Sequence, residues 1–199
     1  MGTKQEILNV ALDLFSINGF EATSMSMIAE AVGIRKASLY SHYASKQAIL
    51  DELVKTILEI YQQHSLFARV QLSFLEKKEN ATTEALATAI KQQVIYISHN
   101  PYISRARKML VIEQFKNPGL SDLLEKQNYL DVLDFFTKVI SRLVELGVLK
   151  KYDEEIMAAQ LCLPVNVWIN LLDRHPEKEE AILAMIDRHV DQFIEVFKS

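Results

Sequence analysis

Apolar residues recur at steps of three and four along almost the whole chain, which is the pattern of amphipathic α-helices. Ile7, Ala11 and Leu14 show it in the first segment. The 199 residues include only 5 glycines and 4 prolines, and β-sandwiches and barrels need many more for their turns. The sequence therefore predicts an all-α protein of about nine helices, without a strand.

Turn residues and helix caps divide this pattern into segments. Asn18-Gly19, Gly33 and Gly147 predict helix ends, Ser24 and Ser45 predict helix starts, and Pro164 predicts a kink. The predicted helices span residues 4–17, 24–32, 36–42, 45–66, 82–98, 100–116, 120–146, 153–173 and 177–197. The charged residues 76–80 are predicted to form a loop.

Composition excludes several classes of protein. Hydrophobic residues make up 49% and charged residues 24%, which indicates a folded chain with a sizeable core. Cys162 is a lone cysteine, so no intrachain disulfide forms, and a reducing cytoplasm is expected. The longest apolar stretch, residues 156–172, contains polar residues and a proline, which indicates a buried helix and no membrane span.

Motifs for catalysis and for metal or cofactor binding are missing from the sequence. The histidines lack metal-ligand spacing, and neither a glycine-rich phosphate loop nor a nucleophile elbow is present. We therefore expect no metal, no cofactor and no enzymatic activity.

The segment around Gly33 has the pattern of a helix-turn-helix, in which two short helices meet through a tight glycine-containing turn. The net charge of the chain is −4, which argues against a non-specific coat on nucleic acid. Between residues 31 and 50, however, Arg35, Lys36 and Lys46 are accompanied by no acidic residue. This local charge favours DNA contact, although small helical bundles often contain such a turn.

The run TSMSMIAEAVGIRKASLYSHYASKQAILDEL, residues 23–53, resembles the DNA-binding head of the TetR family of bacterial transcriptional regulators. The matching features extend over about 50 residues in order and spacing and are Phe15, Gly19-Phe20, Ile28-Ala29, Gly33, Leu39-Tyr40, His42-Tyr43, Lys46 and Ile49-Leu50. The resemblance implies a DNA-binding domain at residues 1–48 and an effector-binding and dimerisation domain at residues 49–199.

The resemblance also assigns roles to single residues of the head. Thr23 and Ser24 would cap the second helix and face a phosphate. Lys36, Ala37 and Ser38 open the recognition helix, where base edges are read, and Arg35 lies just before it, free to contact a base or a phosphate. Tyr40, His42 and Lys46 would hold the DNA backbone, and Tyr40 could also lie partly in the core.

A homodimer interface is the first expectation for the remainder of the chain. The last helix carries an apolar stripe that consists of Ile182, Ile186, Val190, Phe193 and Phe197. Together with the apolar helix before it, this stripe predicts a four-helix interface about a twofold axis. Alternatively, the stripe packs inside one subunit, and the two arrangements are compatible.

An effector pocket is the second expectation. The candidate pocket residues are Tyr102, Met109, Glu113, Tyr129, Phe136, Asn166 and Asn170. Glu113 lies on an apolar helix face and therefore needs a partner, either a Lys or Arg of a neighbouring helix or a cationic or hydroxylated ligand. Asn166 and Asn170 would supply hydrogen bonds inside the bundle, to an effector or across the dimer.

The sequence as a whole predicts a cytoplasmic regulator of transcription. We expect a homodimer that binds a pseudo-palindromic double-stranded operator, and the resemblance implies that it is a repressor that a small molecule releases. The alternatives are a helical ligand-binding or interaction protein without DNA binding and, less supported, an enzyme on a helical scaffold.

Overall fold

The computed structural model of the protein describes residues 4–64 and 81–199. The α-helices in this part of the chain are α1 (Lys4–Ala22), α2 (Met25–Val32), α3 (Lys36–His42), α4 (Lys46–His64), α5 (Thr83–His99), α6 (Pro101–Glu113), α7 (Pro118–Glu125), α8 (Asp131–Glu145), α9 (Glu154–Arg174) and α10 (Glu179–Phe197). A π-helical segment, Lys126–Leu130, and a 3₁₀ turn, Pro176–Lys178, complete them. The predicted all-α class is confirmed. The predicted loop at 76–80 and the predicted end of the fourth helix near residue 66 lie outside the described residues.

The chain forms two compact units. The first consists of Met1–Gln62 and Asn100–Leu124, and the second of Gln63–His99 and Glu125–Ser199. The core of the first unit includes Phe15, Leu39 and Met109, whereas that of the second includes Ile140 and Val190. These two units differ from the predicted domains, because they are defined by how compactly the chain packs. The predicted boundary between a DNA-binding and an effector-binding domain at residue 48 stays a prediction.

The helix-turn-helix forms as its caps predict. The Ser24 hydroxyl accepts a hydrogen bond from the Met27 N–H at 3.2 Å, and Gly33 ends α2 with φ 78°. Because this left-handed backbone suits glycine, the chain turns there directly into α3. Ser45 caps α4 in the same way, through the Ala48 N–H.

The stretch from Pro118 to Glu145 differs from the single helix predicted for residues 120–146. Five residues, Lys126–Leu130, form a π-helix between α7 and α8. Apolar periodicity does not reveal such a segment. A π-helix shifts the backbone hydrogen bonds by one residue, but no glycine or proline is needed to mark it in the sequence. If the stretch is counted as one interrupted helix, the described residues form nine helical segments besides the short 3₁₀ turn, as predicted.

Helix α9 is apolar on two faces. Met157, Leu161 and Ile169 pack into the core of the second unit, whereas Leu163 and Val167 are exposed. Within the described residues, α9 has the length and hydropathy of a membrane span, with 39% of its most apolar window buried. Packing on one face and exposed apolar side chains on the other account for that composition.

The apolar stripe of the last helix lies inside the protomer. Ile186, Val190 and Phe193 are 1%, 0% and 5% exposed and belong to the core of the second unit. Ile182 and Phe197 are half-buried against the same core. The stripe thus packs inside its own subunit, as the alternative expectation stated, and its part in a dimer interface stays a prediction.

Candidate nucleic-acid interface

The start of α3 presents a polar, cationic surface to solvent. Arg35, Lys36, Ala37 and Ser38 are all exposed, whereas Leu39 is completely buried. Leu39 therefore anchors this short helix in the core, and the residues at its N-terminal end stay exposed to solvent. This is the geometry that reading of base edges in a major groove requires.

Three further candidates for DNA contact are exposed. Tyr40 is 46% exposed and His42 is exposed, while Tyr43 is buried and packs with the core of the first unit. Tyr40 is therefore no core residue. Ser24 is also exposed, and it combines its capping role with a hydroxyl at the surface.

Thr23 has a different environment from the one predicted. It is 1% exposed, and its hydroxyl donates to the Gly19 carbonyl at 2.8 Å. The Thr23 side chain thus bonds to the backbone near the C-terminal end of α1. This corrects the expectation that Thr23 faces a phosphate, because its hydroxyl is buried and already bonded.

Lys46 likewise has partners inside the first unit. Its ammonium donates to the carbonyls of Phe20 at 2.5 Å and of Glu21 at 3.3 Å. It also lies 4.1 Å from the centre of the Phe20 ring, which is a cation–π contact. The cation that the sequence assigns to the DNA backbone therefore bonds to the C-terminal end of α1.

Glu113, the last residue of α6, is 2% exposed. Its Oε1 accepts a hydrogen bond from the Phe20 N–H at 2.8 Å. The sequence indicated that this carboxylate needs a partner, and the partner is a backbone amide. This corrects the two expected partners, a cationic side chain or a ligand. No sequence pattern identifies the contact, because 93 residues separate its two ends.

The other pocket candidates of the first unit lie on the same helix. Met109 is completely buried in the core. Tyr102 is half-buried, and burial raises the pKa of its phenol. Met109 thus serves packing, and Tyr102 keeps a face at the surface.

The candidates of the second unit have separate environments. Tyr129, in the π-helical segment, is 43% exposed, whereas Phe136 is 8% exposed and belongs to the core. Asn166 donates its amide to the Asn128 carbonyl in that segment at 2.6 Å, and Asn170 donates to the Asn166 carbonyl at 2.9 Å. Both amide groups therefore bond to helix backbone.

Cys162 is buried in the second unit, and burial raises the pKa of its thiol to about 11. The thiol is accordingly uncharged at neutral pH and behaves as a small apolar side chain. Across residues 4–64 and 81–199, no three His, Cys, Asp or Glu side chains gather as metal ligands would.

Comparison with known proteins agrees with this geometry. The sequence profile of the family "Bacterial regulatory proteins, tetR family" matches residues 7–53. The repressor KstR2 of Rhodococcus jostii is 32% identical over 117 residues, which are 57% of this chain and 55% of KstR2. The chain thus spans about half the length of this curated relative.

Solved structures with the same fold cover nearly the whole chain. SmeT, the repressor of the Stenotrophomonas maltophilia multidrug efflux pump SmeDEF, matches with a TM-score of 0.67 at 19% identity, over 99% of this chain and 91% of SmeT. A complex of SmeT with triclosan matches with a TM-score of 0.63 at 20% identity, over 100% of this chain and 93% of that one. Residues 7–53 are thus similar to the tetR family of bacterial regulatory proteins, and the chain shares its fold with these solved structures.

Proposed function

We propose that the protein is a ligand-responsive transcriptional repressor of the cytoplasm, which binds a pseudo-palindromic operator as a homodimer. The observation that carries the proposal is the exposed start of α3, where Arg35, Lys36, Ala37 and Ser38 precede a buried anchor, Leu39. A ligand carrier that does not bind DNA needs no such surface, and the repressors among the relatives of this chain favour DNA binding. The proposal includes no catalytic role.

The homodimer face that we propose is the exposed apolar side of α9. Ile156, Leu163, Val167 and Leu171 are 54%, 38%, 59% and 38% exposed. Their spacing of seven, four and four residues puts them on one side of the helix. A contiguous apolar strip on a soluble protein indicates a protein interface, and a second copy would cover it by symmetry. On α10, Met185 and Val196 are also exposed, at 40% and 52%.

Release by a small molecule follows from linkage. An effector lowers operator affinity only through its stronger binding to a conformation that reads DNA poorly. SmeT is known in complex with triclosan, and by analogy we propose an apolar or aromatic effector for this chain. Tyr102 and Tyr129, which are half-buried and exposed respectively, are the pocket candidates with accessible aromatic surface.

Substitution of Lys36 tests the proposal. In K36A we expect a loss of about 1–3 kcal/mol of operator binding free energy and relaxed selection at one base position per half-site. The measurement is a fluorescence-anisotropy titration of duplexes that the wild-type protein selects from a random pool, at fixed salt.

The matched control is K55A, since Lys55 is an exposed lysine of the same unit outside α3. It should bind like the wild type. An equal loss in K55A and K36A, or an equal loss on specific and random duplexes, would show that charge alone and not base reading governs binding.

A further inference from the structure

Helix α1 is broken at Gly19, and we call residues 19–24, from this break to the start of α2, the joint. Distant side chains hold the joint from two sides. The Phe20 N–H donates to Glu113 of α6 at 2.8 Å. The Phe20 carbonyl accepts from Lys46, the first residue of α4, at 2.5 Å. One peptide unit on each side of Phe20 is thus bonded to a helix other than α1 and α2.

The approach of Glu113 to this joint requires a glycine. Gly19 is buried and has φ 79° and ψ 169°, a region of backbone conformation that is essentially open to glycine only. A Cβ at this position would lie 2.8 Å from Glu113 Oε1 and 3.2 Å from Ile112 Cγ2. Because Gly19 has no Cβ, the Glu113 carboxylate comes close enough to accept a hydrogen bond from the amide of the next residue, Phe20.

The joint leads directly into the DNA-reading element. Ser24 caps α2 immediately after it, and the Gly33 turn then joins α2 to α3. The Phe15 and Phe20 rings pack at 5.4 Å, and Thr23 bonds back to Gly19, so the joint is well ordered by its own contacts. Beyond these local contacts, α6 and α4 hold Phe20 through Glu113 and Lys46.

We propose that Glu113 is a positioning residue, through which the end of α6 sets the orientation of the helix-turn-helix by its hydrogen bond to the Phe20 amide. The bond links a buried carboxylate to one amide, and such bonds weaken steeply with distance and angle. A shift of α6 must therefore move the joint with it or break the bond. Either response changes the placement of α2 and α3. This inference rests on the proposed DNA-binding function.

A second polar contact provides the control, because it joins α6 to a part of α1 that precedes the joint. Arg105 of α6 forms an ion pair with Asp13 of α1, and Asp13 lies outside the joint. D13N removes the negative charge of this ion pair and so weakens an attachment of α6 to α1 without touching Phe20. A general loosening of the packing between α6 and α1 would affect D13N as well, whereas loss of a positioning bond at Glu113 would not.

Hydrogen exchange of the full-length protein without DNA is the first test. In E113A, peptides that cover residues 19–42 should exchange about tenfold faster, as expected from loss of one hydrogen bond to a charged group. E113Q keeps an acceptor oxygen of the same reach and should resemble the wild type. D13N should leave these peptides unchanged. Unchanged exchange in E113A, or faster exchange across the whole unit in both E113A and D13N, would overturn the proposal.

Half-site spacing is the second test, with a readout that a merely stabilising residue would not affect. We compare the affinity for the selected inverted repeat with that for the same repeat lengthened by one base pair. E113D keeps the charge but shortens the side chain by one methylene, so it should reduce the discrimination between the two duplexes, and E113Q should retain it. Equal weakening on both duplexes with a lower Tm would contradict a positioning role.

The two tests separate this inference from the function on which it rests. If the wild-type protein selects no repeat, the proposed function fails, yet the exchange comparison still decides whether Glu113 holds the joint. If the wild type selects a repeat and E113D discriminates like it, the function stands and the positioning role is wrong.

Discussion

At the scale of single residues, backbone conformation and burial decide roles that side-chain chemistry leaves open. Lys46 and Thr23 have the chemistry of phosphate-binding residues, but they bond to the carbonyls of residues 19–21. Glu113 has the chemistry of a ligand-binding group, but it accepts from Phe20. In each case a polar side chain bonds to a backbone N–H or carbonyl group of the joint.

The glycine at the joint gives a prediction on stability. G19A should lower the free energy of unfolding by about 1–3 kcal/mol, because its backbone conformation strains any residue with a Cβ and the carboxylate of Glu113 lies in the way. Urea denaturation followed by circular dichroism measures the difference.

G119A is the control for that substitution. Gly119 lies in α7, and a Cβ there would have ordinary van der Waals contact, 3.5 Å from Asn117 Oδ1. We expect G119A to be unchanged or up to about 1 kcal/mol more stable, because alanine restricts the unfolded chain. Equal stability of G19A and G119A would show that Gly19 is not required.

At the scale of helices, the sequence predicts well what local rules determine. The bounds of α3 and the caps at Ser24 and Ser45 follow from residue types at fixed offsets. Periodicity also identifies which residues share a face. It does not say what covers that face, and for this reason it predicts a dimer interface for the stripe of α10 although the stripe's own subunit covers it.

The two apolar faces of the C-terminal helices predict opposite results for the same substitution. V190D introduces a charge into a site that is 0% exposed, so the chain should lose about 3–5 kcal/mol of stability or fail to fold. V167D changes a residue that is 59% exposed, so the subunit should stay folded and become monomeric. Circular dichroism and sedimentation velocity separate the two.

Q92D, at an exposed position of α5, is the control for the added negative charge and should remain dimeric. If V167D also sediments as a dimer while folded, the proposed face on α9 is not the interface.

At the scale of the whole molecule, the all-α fold and the helix-turn-helix are predictable, since both depend on local periodicity and turn chemistry. The contacts that bring distant segments together are not. The bond from Glu113 to Phe20 and that from Asn166 to Asn128 join residues 93 and 38 positions apart. Only the packing of helices brings these pairs together, and a single sequence carries no signal for it.

Selection of bound duplexes from a random double-stranded DNA pool, at physiological salt, tests the central claim most directly. A homodimer with two exposed α3 helices should recover an inverted repeat, whose half-sites lie about 34 Å, or one helical turn, apart or a multiple of that. Recovery of no enriched sequence by folded wild-type protein, or of a single half-site without symmetry, would contradict a dimeric operator-binding repressor.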